Sequence, residues 1–211
     1  MQVEIWSDVA CPWCYIGKRR FEGALKQFEH RDQVEVIWRS YQLDPGAART
    51  SGQTLHDVLE KKMHLSREKA LAMNEHVSAL AAQEGLDYHM EQAQYDNSFD
   101  AHRMVHLAAV HGKQDAMEER LFKAYFTDGI AIGEKEALIQ LASEIGLDAA
   151  EARATLDSDA YADEVRADLE RAEAFGIQSV PFFAIDETYG ISGAQPTELF
   201  KRAMDEAWTK Q

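Results

Sequence analysis

Two cysteines stand close together in Ser7-Asp8-Val9-Ala10-Cys11-Pro12-Trp13-Cys14-Tyr15-Ile16-Gly17, and the chain has no others. A pair at this spacing suits dithiol–disulfide exchange, in which one sulfur attacks and the other expels the partner from the mixed disulfide. The reactive form is the thiolate. It is favoured where a helix begins, because the first backbone N–H groups lack partners and the helix dipole leaves partial positive charge there. The flanking sequence supplies such a place. Val3 to Trp6 reads as a short strand, and Tyr15 to Phe28 as a helix with Phe21, Leu25 and Phe28 on one face. Cys11 is expected at or just before the first helical turn. Pro12 suits that turn because its missing N–H costs nothing there. Cys14 falls one turn further in and is shielded. Cys11 is therefore expected to attack and Cys14 to resolve.

Other uses of the pair are less well supported by the residues. A structural zinc site needs four ligands, and no third cysteine or finger-spaced histidine pair follows. His102 and His106 lie at i, i+4 but lack a third ligand nearby, so no metal is expected. A structural bridge here would close almost no loop and constrain little. Two inert buried thiols remain the alternative, against which the strand–Cys-Pro-x-Cys–helix context argues.

Val180-Pro181 opens a later apolar run, and a proline there fits a strand start or edge. In the cis form it would carry the Val180 backbone beside the cysteine turn, where its N–H and C=O could pair with an extended substrate. The sequence leaves the isomer open.

The elements that must hold these residues fall in a clear order. Val34 to Trp38 alternates and is β-branched, a second strand parallel to the first across a right-handed β-α-β crossover. From Ser51, only helical patterns run for about a hundred residues. Leu55, Val58, Leu59 and Met63 mark one after Thr54. Met73, Val77, Leu80 and Ala81 mark another, capped by Ser66 and ended near Gly85. A third, capped by Asn97 or Ser98, carries Phe99, His102, Val105, His106 and Ala109 to Gly112. Others hold Met117, Leu121, Phe122 and Tyr125, then Leu138, Leu141 and Ile145, then a short one from Asp148. A helix over 158–175 carries Tyr161, Val165, Leu169 and Ala172. Strand character returns at Pro181 to Ile185, turns at Asp186-Glu187 and runs back over 188–192. A last helix has Pro196 at its first position, with Leu199, Phe200, Ala203 and Ala207 inward.

The 211 residues, 45% hydrophobic, suffice for one sizeable core or one domain with an insertion. A net charge of −15 and a pI of about 4.9 make nucleic acid an improbable partner. No stretch approaches the ~20 apolar residues needed to cross a bilayer, so no membrane association is expected. Glu4 and Asp8 interrupt the start of the chain where a secretory leader would need a basic and then an apolar region. The expected compartment is cytoplasmic, where such pairs are usually catalytic.

The sequence resembles the DsbA superfamily of thiol–disulfide oxidoreductases, and within it the cytosolic FrnE-like group. The resemblance rests on Ser7-Asp8-x-x-Cys11-Pro12-Trp13-Cys14-Tyr15-x-Gly17-Lys18, Asn97-x-x-x-Ala101-His102-Arg103, Gly176-x-x-x-Val180-Pro181-x-Phe183 and Ile191-Ser192-Gly193-Ala194-Gln195-Pro196. It implies an α/β, thioredoxin-like fold with an inserted all-helical domain: residues 1–50 and 158–211 form the first, 51–157 the second. It implies Cys11 as nucleophile, Cys14 as resolving thiol and Pro181 as a cis proline, with Pro12, Trp13 and Val180 around them. Glu4 lies about where relatives keep an acid behind the motif, and is a candidate acceptor for the Cys14 proton. Asn97 and His102 open a helix that in relatives faces the active site.

The periplasmic oxidases of the superfamily carry His where Trp13 stands. Without that protonatable group the potential is expected to be less oxidising. Trp13 also adds a flat apolar surface beside Cys11. Substrates are expected to be protein or small-molecule disulfides and thiols. No cofactor is expected to bind tightly, and glutathione is a candidate reductant or co-substrate. The rival reading is a glutathione-dependent isomerase or transferase of the hydroxychromene-carboxylate isomerase or kappa class. Those resemble this chain in layout but usually put Ser where Cys11 stands and lack the second cysteine. A third is a binding module using the helical groove.

Overall fold

The computed structural model describes residues 1–55, 57–58 and 66–210. Leu59 and Met63, expected on the helix after Thr54, lie outside the described residues. Strand β1 (Gln2–Ser7) is followed by helix α1 (Pro12–Gln27) and strand β2 (Glu35–Ser40). Helices α2 (Arg67–Gln83), α3 (Phe99–Val110), α4 (Gln114–Phe126), α5 (Lys135–Glu144), α6 (Ala149–Leu156) and α7 (Ala162–Ala174) come next. Strands β3 (Phe182–Ile185) and β4 (Tyr189–Ser192) and helix α8 (Thr197–Trp208) complete the order.

The sheet runs β2-β1-β3-β4. β1 and β2 are parallel, as a β-α-β crossover requires, while β3 is antiparallel to β1 and to β4. β1 is buried almost throughout, as a central strand covered on both faces must be. Alternation along it divides its side chains between two environments. Ile5 pairs with Phe183, whose ring packs on Phe21 of α1 and Phe200 of α8. Trp6 points the other way, its ring tilted against Phe175 beyond α7 and its indole N–H donating to the Asp168 carbonyl. Most of the buried apolar residues of the sheet and of the helices after β2 form one contiguous cluster.

Local signals explain the boundaries. Ser66 accepts the Lys69 N–H and Asp148 those of Ala150 and Glu151, so both are true N-caps. Asp186 and Glu187 both take positive φ, the backbone a two-residue hairpin demands. Three expectations shift. The helix expected from residue 158 begins at Ala162, because Tyr161 before it is left-handed at φ 62°. Pro196 caps α8 instead of opening it. Met73, expected on one apolar face of α2 with Val77, Leu80 and Ala81, is 49% exposed.

Candidate functional site

Cys11 is the N-cap of α1, with extended backbone (φ −95°, ψ 112°), and Pro12 is the first helical residue. The turn is held by the Cys11 N–H on the Asp8 carbonyl (2.9 Å) and the Cys14 N–H on the Cys11 carbonyl (3.0 Å). Both cysteines are thiols without a bridge. Cys11 is 3% exposed, yet its edge lines an open cavity of about 920 Å3. Trp13, 39% exposed, lines it too, as do Leu43, Met73 and Val77.

The Val180-Pro181 bond is cis. The Val180 carbonyl lies 3.6 Å from the Cys11 sulfur and accepts its S–H. Pro181 sits against α1 at Gly17, where an added Cβ would come within 2.8 Å of the proline ring. Gly17 is thus small because the rings of Pro181 and Phe183 press against α1 there, a role the sequence reading did not assign. Cys11, Cys14, Pro12, Trp13, Val180 and Pro181 are brought together as one centre.

Cys14 is fully buried, and its thiol is pushed well above its ordinary range. Burial is the largest cause, followed by the Cys11 sulfur; the Asp8 backbone and the Ser7 hydroxyl oppose them. Cys14 therefore holds its proton until something takes it.

Glu4 is not brought to the cysteines. It lies on the face of β1 shared with Trp6, away from α1. Arg39 Nε and Arg171 Nη2 each reach its carboxylate at 2.7 Å. Burial alone would raise this carboxyl, but the two guanidinium groups hold it below its usual range. Arg39 also reaches Asp168 (3.1 Å), which accepts from the Ser40 N–H and meets His106 at 3.0 Å. This network ties β1, β2, α3 and α7 together.

Ser98 is the N-cap of α3 and makes no side-chain cap bond; Asn97 before it accepts the Phe99 N–H and holds the preceding loop by donating to the Pro45 and Ala47 carbonyls. His102 is fully buried behind the cysteine turn. Its Nε2 donates to the Tyr41 carbonyl at 2.8 Å and lies 3.6 Å from Asp8. Burial works against its charged form, but Asp8 outweighs this and the imidazole is raised above its ordinary range. His102 and His106 thus turn to different partners, and no cluster of metal-binding side chains occurs among the described residues.

Three residues the sequence reading did not single out stand beside the centre. Asp8 accepts from the backbone N–H groups of Ala10 and Leu43 (3.2 and 2.7 Å), fastening the turn to the loop after β2. Tyr88 donates to the Pro12 carbonyl at 2.7 Å and stacks on Phe126 and Tyr15. Glu118 of α4 is 1% exposed, and burial, only partly offset by His102 and Lys18, raises its carboxyl to about 7. Its spacing from Leu121, Phe122 and Tyr125 was the available signal, since 118, 122 and 125 share one helix face.

Comparison with known proteins gives the same direction. The DSBA-like thioredoxin domain family matches residues 2–205. A probable DsbA oxidoreductase of Streptomyces coelicolor is 46% identical with a TM-score of 0.96, over 100% of this chain and 91% of that one. The uncharacterized protein YwbO of Bacillus subtilis strain 168 is 28% identical, over 100% of this chain and 99% of its own. The cytosolic disulfide reductase DsbM of Pseudomonas aeruginosa shares the fold at a TM-score of 0.69 with 16% identity, each chain covered in full.

Proposed function

The chain belongs to the DSBA-like thioredoxin domain family and is a thiol–disulfide oxidoreductase, and from that premise we infer that Cys11 attacks and Cys14 resolves. The observation that carries the assignment is the difference between the two sulfurs. Cys11 caps the helix at the edge of the cavity, while Cys14 is enclosed one turn behind it. The Cys11 thiolate attacks a disulfide sulfur, giving a mixed disulfide and one released thiol. Cys14 then attacks Cys11, closing the Cys11–Cys14 bond and expelling the second thiol. Two electrons pass from the dithiol to the substrate, and the reverse sequence oxidises a dithiol substrate.

The Val180 carbonyl beside Cys11 supports a further role: pairing with the backbone of an extended substrate, with Pro181 shaping the strand entry. The cavity is large enough for a small disulfide or a tripeptide thiol, and glutathione is the proposed small reductant. The rest of the reading is organisational. We take 51–157 as a helical domain inserted into a thioredoxin-like unit of 1–50 and 158–211, in the manner of the FrnE-like group. The cytoplasm is the proposed compartment, since the redox pair uses both cysteines and leaves none for structural bridges. No helix among the described residues is long and apolar enough to cross a membrane.

Insulin reduction with glutathione as reductant tests the assignment. Cys11→Ser is expected to abolish turnover. Cys14→Ser is expected to trap a mixed disulfide at Cys11, visible as added mass. Turnover surviving Cys11→Ser overturns it.

A further inference from the structure

The cavity beside Cys11 has a charge of its own. Its walls are apolar where Leu43, Met73, Val77 and Met90 line it, and its charged lining is acidic: Asp8, Asp44 and Asp96. Among the described lining residues there is no lysine or arginine, and His76 is the one basic side chain. Neutral donors orient two of the acids. Asp96, 6% exposed, accepts the Ser51 and Gly133 N–H groups at 3.0 and 3.3 Å. Asp8 accepts those of Ala10 and Leu43. Such donors hold a carboxylate in place without cancelling its charge. His102, 3.6 Å from Asp8, offsets that acid, whereas Asp96 has no ion-pair partner among the described residues. Tyr125 of α4 belongs to the same lining. It is wholly buried, and its hydroxyl has no hydrogen-bond partner among the described residues. Burial, and then the charges of Asp8 and Asp96, keep the proton on this phenol. A buried hydroxyl without a partner costs stability, so a ligand that supplies one is favoured there.

We propose that this cavity binds a small disulfide bearing an ammonium group, with a sulfur at Cys11 and the ammonium donating to the Tyr125 hydroxyl in the field of Asp96 and Asp8. The ammonium gives Tyr125 the partner it lacks and meets negative charge that no described lysine or arginine of the lining neutralises. The apolar walls cover the carbon chain between ammonium and sulfur, and about 920 Å3 admits such a molecule whole. A carboxylate in the same place would lose its water beside Asp96 with no cation to balance it. The Cys11 thiolate attacks the nearer sulfur, and the first aminothiol leaves as a thiolate that takes a proton from solvent. Closure of the Cys11–Cys14 bond then releases the second, both electrons coming from the dithiol. Glutathione brings one ammonium to this lining but two carboxylates, so the cavity ranks it below an aminothiol of the same redox chemistry. The inference deepens the oxidoreductase reading and rests on Cys11 as the attacking thiol.

The test mixes reduced protein rapidly with cystamine, 2-hydroxyethyl disulfide or 3,3′-dithiodipropionate, which are cationic, neutral and anionic at neutral pH. Each rate is divided by that of the same disulfide with dithiothreitol, which removes intrinsic reactivity. Sodium chloride at about 0.5 M screens the general pull of a chain of net charge −15 on any cation, but screens contacts inside the cavity much less. The expected order is cystamine, then the neutral disulfide, then the anion, with at least about tenfold between first and last. Tyr125→Phe is expected to lower the cystamine ratio about tenfold, the loss of one hydrogen bond to a charged group, and to leave the other two within about twofold. Its melting temperature is expected not to fall, since the hydroxyl removed has no partner among the described residues. Equal ratios for the three disulfides, or an unchanged order in Tyr125→Phe, overturn the proposal. Should Tyr125→Phe not fold, pentylammonium, pentanol and pentanoate compete with 2-hydroxyethyl disulfide for the native protein. Inhibition strongest with pentylammonium supports the site; inhibition independent of charge, or none, overturns it. No reaction with any of the disulfides, or reaction surviving Cys11→Ser, sinks the thiol reading beneath the inference, which is a distinct result.

Discussion

Glu4 and Glu118 are the same residue type at the same exposure, 1% each. Around Glu4 two arginines close on the carboxylate, and Asp168 and His106 extend the pairing across two strands and two helices. Around Glu118 one carboxyl oxygen has no partner among the described residues, and only His102 and Lys18 offset its burial. One acid is driven below its usual range and the other up to about 7. The difference teaches that burial does not make an acid reactive; the count of committed partners does. The saturated acid holds the fold together. The unsaturated one is free to change charge.

The sharpest way to break this contrast is stability against pH. Glu118 has a folded value of about 7 against an ordinary 4.5, so the folded state keeps a proton that the unfolded chain has released. The stability associated with that proton is fully present below pH 4.5 and is lost as pH rises through about 7. Glu118→Gln removes the loss. It is expected to be more stable than the native protein by up to roughly 3 kcal/mol at pH 8, and equal to it near pH 4. Thermal melts at a series of pH values measure this, and a constant difference would contradict it.

Glu4→Gln should do the opposite at every pH above 5. Removing a buried partner from an ion pair typically costs several kcal/mol. Both arginines reach solvent in part, which reduces the loss to about 2 kcal/mol. Urea denaturation reads the stability, and the resolution rate is expected to stay at the native level. A slowed resolution step would return Glu4 to the centre.

A smaller effect tests how tightly the reactive side is built where no charge is involved. Gly17→Ala places a methyl 2.8 Å from the Pro181 ring and 3.4 Å from Phe183. Overpacking of this kind is expected to cost about 1 kcal/mol and to slow alkylation of Cys11 as Pro181 is displaced. An unchanged alkylation rate would show that the contact does not position the site.

Much of the architecture was legible because local chemistry and tertiary structure agree. The cysteines fall at a strand-to-helix junction, Ser66 caps its helix, and Asp186-Glu187 turns a hairpin. The failure at Glu4 is one of parity. Neighbouring strand residues face opposite ways, and nothing local states which side α1 will cover. Glu118 was hidden for a different reason: a single acid on an apolar helix face reads as surface until the partners around it are known. Tyr88 was hidden because it belongs to no regular element, so no period marks it. Met73 obeyed its helical period, but its face meets the cavity instead of a packed neighbour.

The Tyr88 hydroxyl on the Pro12 carbonyl carries one more consequence. The peptide next to the attacking sulfur is moored by a side chain from the loop between α2 and α3 of the helical block, whose ring is itself wedged between Tyr15 and Phe126. The reactive turn therefore has two landlords, its own helix and a phenol seventy-six positions downstream. Any shift of the block relative to the sheet is delivered directly to the residue between the sulfurs, so the mouth of the groove and the chemistry at its floor move as one mechanical unit.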